Sequence, residues 1–221
     1  MPRQVFVTGA TGYLGRHLIP ALIARGHTVH GLVRAGSESK MPRGCTQIVG
    51  NPFERATFSS ALATTDTFVQ LVGVPHPSPA KARQFVDIDL RSALESIAAA
   101  AGSPVHHFIY VSVAQPAPVM RAYQAARAEA EQALAASGLR HTILRPWYVL
   151  GPGHRWPYLL LPFYWLLGWF PRTREGAQRL GLVTLPQMVS ALVWSVETAA
   201  ADSRILNVTD IRTAGSIIPT A

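Results

Sequence analysis

The sequence predicts an α/β fold in which a doubly wound parallel sheet carries helices on both faces. Two observations predict it. Short β-branched runs alternate with longer amphipathic stretches through the first half of the chain, and a glycine-rich loop joins the first run to the next stretch. The 221 residues, 48% of them hydrophobic, suffice for one domain with a sizeable core. We therefore expect a single domain over residues 1–221.

Hydrophobic periodicity gives the order of the elements. Apolar residues at three- and four-residue spacing between Val86 and Ala101 predict a helix that ends at Gly102. The residues after Thr213 are expected to have little to hold them. The predicted strands are Gln4–Thr8, His27–Val33, Thr46–Val49, Thr67–Leu71, His106–Ser112, His141–Leu144 and Ile205–Val208, and the predicted helices lie at about 79–102, 120–137 and 186–197.

The alternation stops at residues 151–181, which we interpret as an inserted apolar segment, a small C-terminal lobe on the substrate side of the sheet. Its stretch Trp156–Pro171 contains no charged residue, and it is too short and too interrupted by Pro162 to span a bilayer. The wall of an apolar substrate pocket is the favoured role, while core packing and a dimer contact stay open. Contact of Trp156–Phe170 with a membrane surface also stays open, because basic residues flank this stretch. These are Arg155, Arg172 and Arg174.

Composition excludes several classes of protein. The formal charge is +8, but the arginines are scattered, with no run of five basic residues and no interleaved aromatics, so no nucleic-acid partner is predicted. The single cysteine, Cys45, excludes an internal disulfide and fits a reducing compartment. The histidines lack carboxylates at ligand spacing, so no metal is predicted. The chain enters an apolar strand at Gln4, so we expect no signal peptide and a cytoplasmic location.

The loop from Thr8 to Gly15 joins the first strand to a helix. Gly9 allows a tight turn, Gly12 lets the backbone approach a pyrophosphate, and Gly15 lets the helix pack closely on the sheet. The helix N-terminus adds free N–H groups and a partial positive charge. A glycine-rich turn without a ligand has the same local pattern, but the alternation that follows favours a Rossmann-type nicotinamide dinucleotide site. The residues expected to form it are Thr8, Gly9, Thr11, Gly12, Tyr13, Leu14 and Gly15.

Arg34 bears on the choice between NAD(H) and NADP(H). It follows the second strand, where an NAD site would carry an acidic residue for the ribose 2′-hydroxyl. A guanidinium can instead pair with a 2′-phosphate, which favours NADP(H), although a solvated surface arginine stays open in an arginine-rich chain.

With these residues the chain resembles the atypical short-chain dehydrogenase/reductase family, which includes nucleotide-sugar epimerase-like and NmrA-like NAD(P)-binding proteins. The resemblance covers residues 4 to about 210. It rests on Thr8–Gly15, on Tyr110-Val-Ser-Val113, on the helix bearing Tyr123, and on Leu144-Arg-Pro-Trp-Tyr-Val-Leu-Gly151.

The resemblance implies catalytic roles for Ser112, Tyr123 and Arg127. In the family, a serine after the fifth strand and a Tyr-x-x-x-Lys pair on the next helix carry proton transfer, while the cofactor carries the hydride. Arg127 occupies the lysine position. It shares a helix face with Tyr123 and can favour a phenolate, but it does not release a proton near neutral pH. Taken singly, Ser112 and Tyr123 are equally well explained as structural residues.

Other cofactor contacts follow from the resemblance alone. It places Asn51 near the adenine and the segment Leu71-Val72-Gly73 beneath the nicotinamide ribose. The loop expected to cover the nicotinamide contains Pro146, Trp147 and Tyr148.

Two functions follow as expectations. The first is an NADP(H)-dependent oxidoreductase acting on a carbonyl or hydroxyl group of a small, fairly apolar substrate, with Tyr123 as general acid or base, Ser112 polarising the substrate oxygen, and Arg127 holding the ribose. The alternative is a regulatory or assembly protein that binds NAD(P)H with little or no turnover, which Arg127 in the lysine position favours.

Overall fold

The computed structural model describes residues 1–152 and 180–217, with side chains described as far as residue 214. Within these residues, seven strands form one sheet in the order β3-β2-β1-β4-β5-β6-β9, and every neighbouring pair is parallel. The strands are β1 Gln4–Thr8, β2 Thr28–Val33, β3 Thr46–Val49, β4 Thr67–Gln70, β5 His107–Val111, β6 His141–Leu144 and β9 Ser203–Leu206. The predicted Rossmann-type fold is confirmed.

Helices cover both faces of this sheet. They are α1 Gly15–Ala24, α2 Ala82–Gln84, α3 Arg91–Ala101, α4 Arg121–Ala136, α5 Leu185–Glu197 and α6 Val208–Ile217. A π-helical segment, Phe85–Leu90, joins α2 to α3 within the predicted helix. Two short strands, β7 Tyr148–Leu150 and β8 Leu182–Thr184, pair in parallel beside the main sheet. The inserted segment 151–181 lies, apart from its ends, outside the described residues.

Side-chain alternation along the strands divides the core into two layers. Val5 and Val7 of β1 face α1, α5 and α6, whereas Phe6 between them faces α3 and α4. Phe68 stacks on Phe108 of the next strand with ring centroids 5.0 Å apart, and it packs against Phe6 at 5.2 Å. Aromatic pairs on neighbouring strands therefore fix the register of β1, β4 and β5.

The C-terminal part differs from the prediction in two ways. The last strand ends at Leu206 rather than at Val208, because Asn207 N donates to Asp210 Oδ2 and α6 begins there. The expectation that residues after Thr213 have little to hold them is wrong for residues 214–217, and residues 218–221 lie outside the described residues. Helix α6 continues to Ile217, and its Ile211 and Ala214 are buried in the core.

Within residues 1–152 and 180–217, no helix combines the length and the apolar character needed to cross a bilayer.

Candidate functional site

The order of the strands places a cleft at the carboxyl edge of the sheet. Strand β2 lies on one side of β1, and β4 lies on the other side. The chain therefore runs in opposite directions across the sheet after β1 and after β4, and the loops that follow these two strands diverge. A cavity of about 600 Å³ opens there. It extends from the loop after β1 past the ends of β4 and β5 to the segment after β6.

The glycine loop forms one end of this cavity, and steric contacts explain its glycines. Gly9 has φ +67°, and a Cβ on it would lie 2.9 Å from the carbonyl carbon of Leu71. A Cβ on Gly12 would lie 3.0 Å from the Gly9 carbonyl oxygen. A Cβ on Gly15 would overlap that same oxygen and lie 2.6 Å from the carbonyl oxygen of Ala10. Helix α1 therefore starts in direct contact with the loop.

The N-terminus of α1 presents a suitable surface for an anion. Its N-cap residue, Leu14, makes no side-chain capping hydrogen bond, and its first turn contains no acidic residue. The N–H groups of Arg16 and His17 already donate to the carbonyl oxygens of Gly12 and Leu14, so it is the positive end of the helix dipole that lies beside the cavity. This arrangement can hold a phosphate group.

Most of the residues predicted for the site line this one cavity. They are Gly9, Thr11, Gly12, Tyr13, Leu14, Arg34, Leu71, Val72, Gly73, Ser112, Tyr123, Arg127, Pro146, Trp147 and Tyr148. Of the described residues that line it, none is acidic, and Arg34 and Arg127 are cationic. The cavity is therefore electrostatically suited to a polyanionic ligand.

Three predicted residues lie outside the lining: Thr8, Gly15 and Asn51. The Thr8 hydroxyl is buried between β1 and β4, where it donates to Gln70 Oε1. Asn51 organises a turn, because its Oδ1 accepts the backbone N–H of Phe53 at 3.1 Å. Phe53 and the adjacent Pro52 reach the cavity in its place.

Ser112 and Tyr123 lie at the end of the cavity away from the glycine loop. Ser112 is buried, and its Oγ has no hydrogen-bond partner among the described residues. Its backbone N–H donates to the Leu144 carbonyl oxygen at 2.8 Å, which fixes it beside β6. The ring of Tyr123 packs on that of Phe85, with centroids 4.9 Å apart. A buried hydroxyl without a partner is suited to bind a ligand oxygen.

Arg127 is almost completely buried and already bonded to the protein. Its Nη2 donates to Asp89 Oδ1 at 2.5 Å, and its Nη1 donates to the Val111 carbonyl oxygen at 2.7 Å and to the Tyr110 hydroxyl at 3.3 Å. Its Nε has no partner among the described residues. The guanidinium carbon lies 5.2 Å from the ring centroid of Tyr123, so the described contact between them is a cation–π contact.

Charge and burial act in opposite directions at this cluster. Burial opposes the charged form of Arg127, but the two neighbouring tyrosines and Asp89 outweigh it and raise the pKa of Arg127 above its ordinary value. Burial also raises the pKa of Tyr110 to about 12. It raises the pKa of Asp89 as well, and in both groups the charge of Arg127 acts in the opposite direction. Arg127 is therefore a permanent cation, and Tyr110 a neutral phenol, at neutral pH.

Sequence reasoning missed Asp89 and the lining residues after Gly73. The segment Val74–Pro77 and Ile88 complete one wall of the cavity. Asp89 could have been noticed, because it lies four residues after Phe85 and four before Ala93, on the buried face of the helical run. A carboxylate on that face needs a cationic partner.

A family model described as NAD(P)H-binding matches residues 9–154, which contain the glycine loop, Ser112, Tyr123 and Arg127. The chain belongs to this NAD(P)H-binding family. Its cofactor is therefore a nicotinamide dinucleotide.

Two curated relatives are reductases. The chain is 28% identical over 170 residues to a 4-hydroxy-2-methyl-3-oxo-4-farnesyl-3,4-dihydroquinoline-1-oxide ketoreductase of Stigmatella aurantiaca, covering 67% of this chain and 51% of that protein. It is 29% identical over 160 residues to a divinyl chlorophyllide a 8-vinyl-reductase of Oryza sativa subsp. indica, covering 64% of this chain and 39% of that protein. The chain thus spans about half the length, or less, of these relatives.

A solved structure with the same fold is that of the Bordetella bronchiseptica enzyme WbmH in complex with NAD+. It aligns with a TM-score of 0.70 over 94% of this chain and 76% of the other, at 19% identity. This likeness supports the Rossmann-type fold.

Proposed function

We propose that the chain is an NADP(H)-dependent oxidoreductase that acts on a carbonyl or hydroxyl group of a small, fairly apolar substrate. One observation carries the proposal: a single cavity joins the glycine loop and the α1 N-terminus at one end to the unpartnered Ser112 hydroxyl and Tyr123 at the other. The first end suits the pyrophosphate of a dinucleotide, and the second supplies the hydroxyl groups that proton transfer needs.

Arg34 supports NADP(H) rather than NAD(H). It is exposed at the end of β2 and lines the cavity, and no hydrogen bond or ion pair of its guanidinium is found among the described residues. Arg34→Gln is expected to weaken NADPH binding about 10-fold, because a charge-assisted contact to the 2′-phosphate is lost. NADH binding should stay unchanged. Arg43→Gln, which removes an exposed arginine outside the cavity lining, is the matched control.

The substrate class follows from the apolar end of the cavity. Its described wall includes Pro75, Pro77, Ile88, Val113 and Trp147. The two relatives are named as reductases of a farnesyl-bearing quinoline oxide and of a chlorophyllide, which supports a reductase acting on an organic substrate. Residues 156–171, proposed as a further apolar wall, lie outside the described residues.

In the proposed reaction, the bound cofactor supplies the hydride. Ser112 would donate a hydrogen bond to the substrate oxygen, and Tyr123 would exchange a proton with it. Arg127, a permanent cation beneath Tyr123, would stabilise negative charge on the phenol oxygen. Its donors to Asp89 and Val111 are already engaged, so only its remaining N–H groups are left for the ribose contact that the family resemblance implies.

Turnover of a panel of apolar ketones and quinones with NADPH tests the proposal. Tyr123→Phe should lower kcat by about 100-fold or more, because the proton donor is lost while the ring remains. Ser112→Ala should also lower kcat, whereas Ser60→Ala, an exposed serine outside the cavity, should leave it unchanged. Wild-type turnover that survives in Tyr123→Phe would contradict the assigned role.

A second candidate is a regulatory or assembly protein that binds NAD(P)H without efficient turnover. The engagement of Arg127 by Asp89 favours it, because this cation is held by the protein itself. NADPH binding without turnover of any panel compound would select this candidate, and activity gained in Arg127→Lys would support it further.

A further inference from the structure

The ion pair between Arg127 and Asp89 is deeply buried. Their side chains are 6% and 0% exposed, and Arg127 Nη2 lies 2.5 Å from Asp89 Oδ1. The ion pair between Arg145 and Glu131, by comparison, has exposed fractions of 21% and 9%. Because removing one member of a buried pair leaves an uncompensated charge, the two side chains hold each other in place.

The Asp89 carboxylate connects three walls of the cavity. Its Oδ2 accepts the backbone N–H of Val74 at 3.0 Å, while its Oδ1 accepts from Arg127. Arg127 in turn donates to the carbonyl oxygen of Val111, the residue before Ser112. One carboxylate thereby ties the segment after β4 to α4 and to the end of β5.

Gly73 leaves the guanidinium little room to move. A Cβ on Gly73 would overlap Arg127 Nη2 and lie 3.2 Å from Asp89 Oδ1. Gly73 is not among the glycines with positive φ, so space rather than backbone conformation explains the glycine. The guanidinium is packed directly against this backbone, and its position is fixed.

The position of the Tyr123 ring is tied to the π-helical segment by one direct and one indirect contact. The ring packs on Phe85, the first residue of that segment, and on the guanidinium that Asp89 holds. A π-helical turn inserts an extra residue and changes the direction of the side chains that follow. One of these two contacts is thus made by a residue of the segment 85–90, and the other is made by Arg127 of α4, which Asp89 of that segment holds.

We propose that Asp89 is a positioning residue of the active site, which sets the orientation of Tyr123 by holding Arg127 against Gly73. Asp89 is not among the residues that line the cavity, and it acts on Tyr123 through Arg127. The catalytic meaning of this inference rests on the proposed function, whereas the orientation of Tyr123 is measurable in the protein without ligand.

The experiment compares Asp89→Asn, Arg127→Met and the double variant with the wild type. Carbon-13-labelled tyrosine reports the Tyr123 ring by NMR, with Tyr123→Phe assigning its signal. Asp89→Asn should shift or broaden that signal and lower kcat at least about 10-fold, while the Kd of NADPH changes by less than about threefold. Asp87→Asn is the matched control, because Asp87 belongs to the same segment and its side chain is 58% exposed.

The double variant separates positioning from general destabilisation. If Asp89 acts through Arg127, the double variant should match Arg127→Met in the Tyr123 signal and in kcat, and the effects should not multiply. Each single variant leaves one buried charge unpaired, whereas the double variant leaves none. If a single variant does not fold, the double variant is compared with the wild type directly: it should shift the Tyr123 signal and lower kcat, and a wild-type signal with wild-type kcat would overturn the inference. Effects that multiply would overturn it.

The inference and the proposed function fail in different ways. A wild type that binds no NADPH contradicts the proposed function, and the ligand-free Tyr123 signal then decides the role of Asp89. A wild type that turns over substrate, with an Asp89→Asn variant unchanged in Tyr123 signal and kcat, overturns the inference alone.

Discussion

Replacing Gly15 by alanine tests whether α1 must touch the glycine loop. The added Cβ would lie 2.6 Å from the Ala10 carbonyl oxygen and 2.8 Å from its carbonyl carbon, and would overlap the Gly9 carbonyl oxygen. These are backbone atoms, so they cannot rotate away as a side chain does. The helix N-terminus must therefore move by about 0.5 Å or more to restore ordinary contacts.

The free-energy cost of Gly15→Ala combines two opposing effects. Overpacking costs about 1–3 kcal/mol. Alanine also stabilises the folded protein by about 0.4–1 kcal/mol, because it lowers the conformational entropy of the unfolded chain. The net loss of about 1–2 kcal/mol should lower Tm by about 2–8 °C in a domain of this size. Because the helix N-terminus moves away from the cavity, NADPH should also bind about 10-fold more weakly.

Thermal unfolding followed by circular dichroism, together with an NADPH titration, measures both effects. The control is Gly102→Ala, where the Cβ would meet its nearest atoms at 3.5 and 3.9 Å, which are ordinary contacts. This variant should stay within about 0.5 kcal/mol of the wild type. A Gly15→Ala protein with wild-type Tm and wild-type NADPH affinity would refute the close packing and its role in phosphate binding.

Two further predictions concern stability. Burial, with the positive charges of Arg204 and Arg3, lowers the pKa of His107 to about 4. In the unfolded chain a histidine takes up its proton near pH 6.5. The free energy of unfolding should therefore fall by up to about 3 kcal/mol as the pH drops from about 6.5 to 4. Urea midpoints between pH 7 and 4 should show this fall in the wild type and less of it in His107→Gln; an equal fall in both would count against His107. Thr184→Ala removes the capping box with Gln187 at the start of α5 and should cost about 1 kcal/mol, seen as a Tm lower by about 2–4 °C. An unchanged Tm would show that the cap is dispensable.

The sequence was sufficient to predict the sheet because its strands are short β-branched runs with regular connections. Strands β1, β3 and β6 have the predicted bounds, and β2, β4, β5 and β9 differ by one or two residues at an end. The short strands β7 and β8 were not predicted. Helix α6 was missed because Ile211 and Ala214 become an apolar face only once the sheet is present to bury them.

The cavity was predicted in part, for a related reason. The glycine spacing and the family motifs lie in short, local segments, and most of the predicted residues line one cavity. The partner of Arg127 could not be found by spacing, because Asp89 lies 38 residues away and a buried ion pair leaves no local pattern. Asn51 was predicted where Phe53 lines the cavity. The hydrogen bonds within a turn decide which of its residues reaches a cavity, and here the Asn51 side chain accepts one of them.

The most direct test of the account is a calorimetric titration of the wild-type protein with NADPH and with NADH. The account predicts that both bind and that NADPH binds at least about 10-fold more tightly, because Arg34 faces the cavity at the end of β2. Equal affinities would contradict the role of Arg34. Failure of both nucleotides to bind would contradict the assignment of the cavity itself.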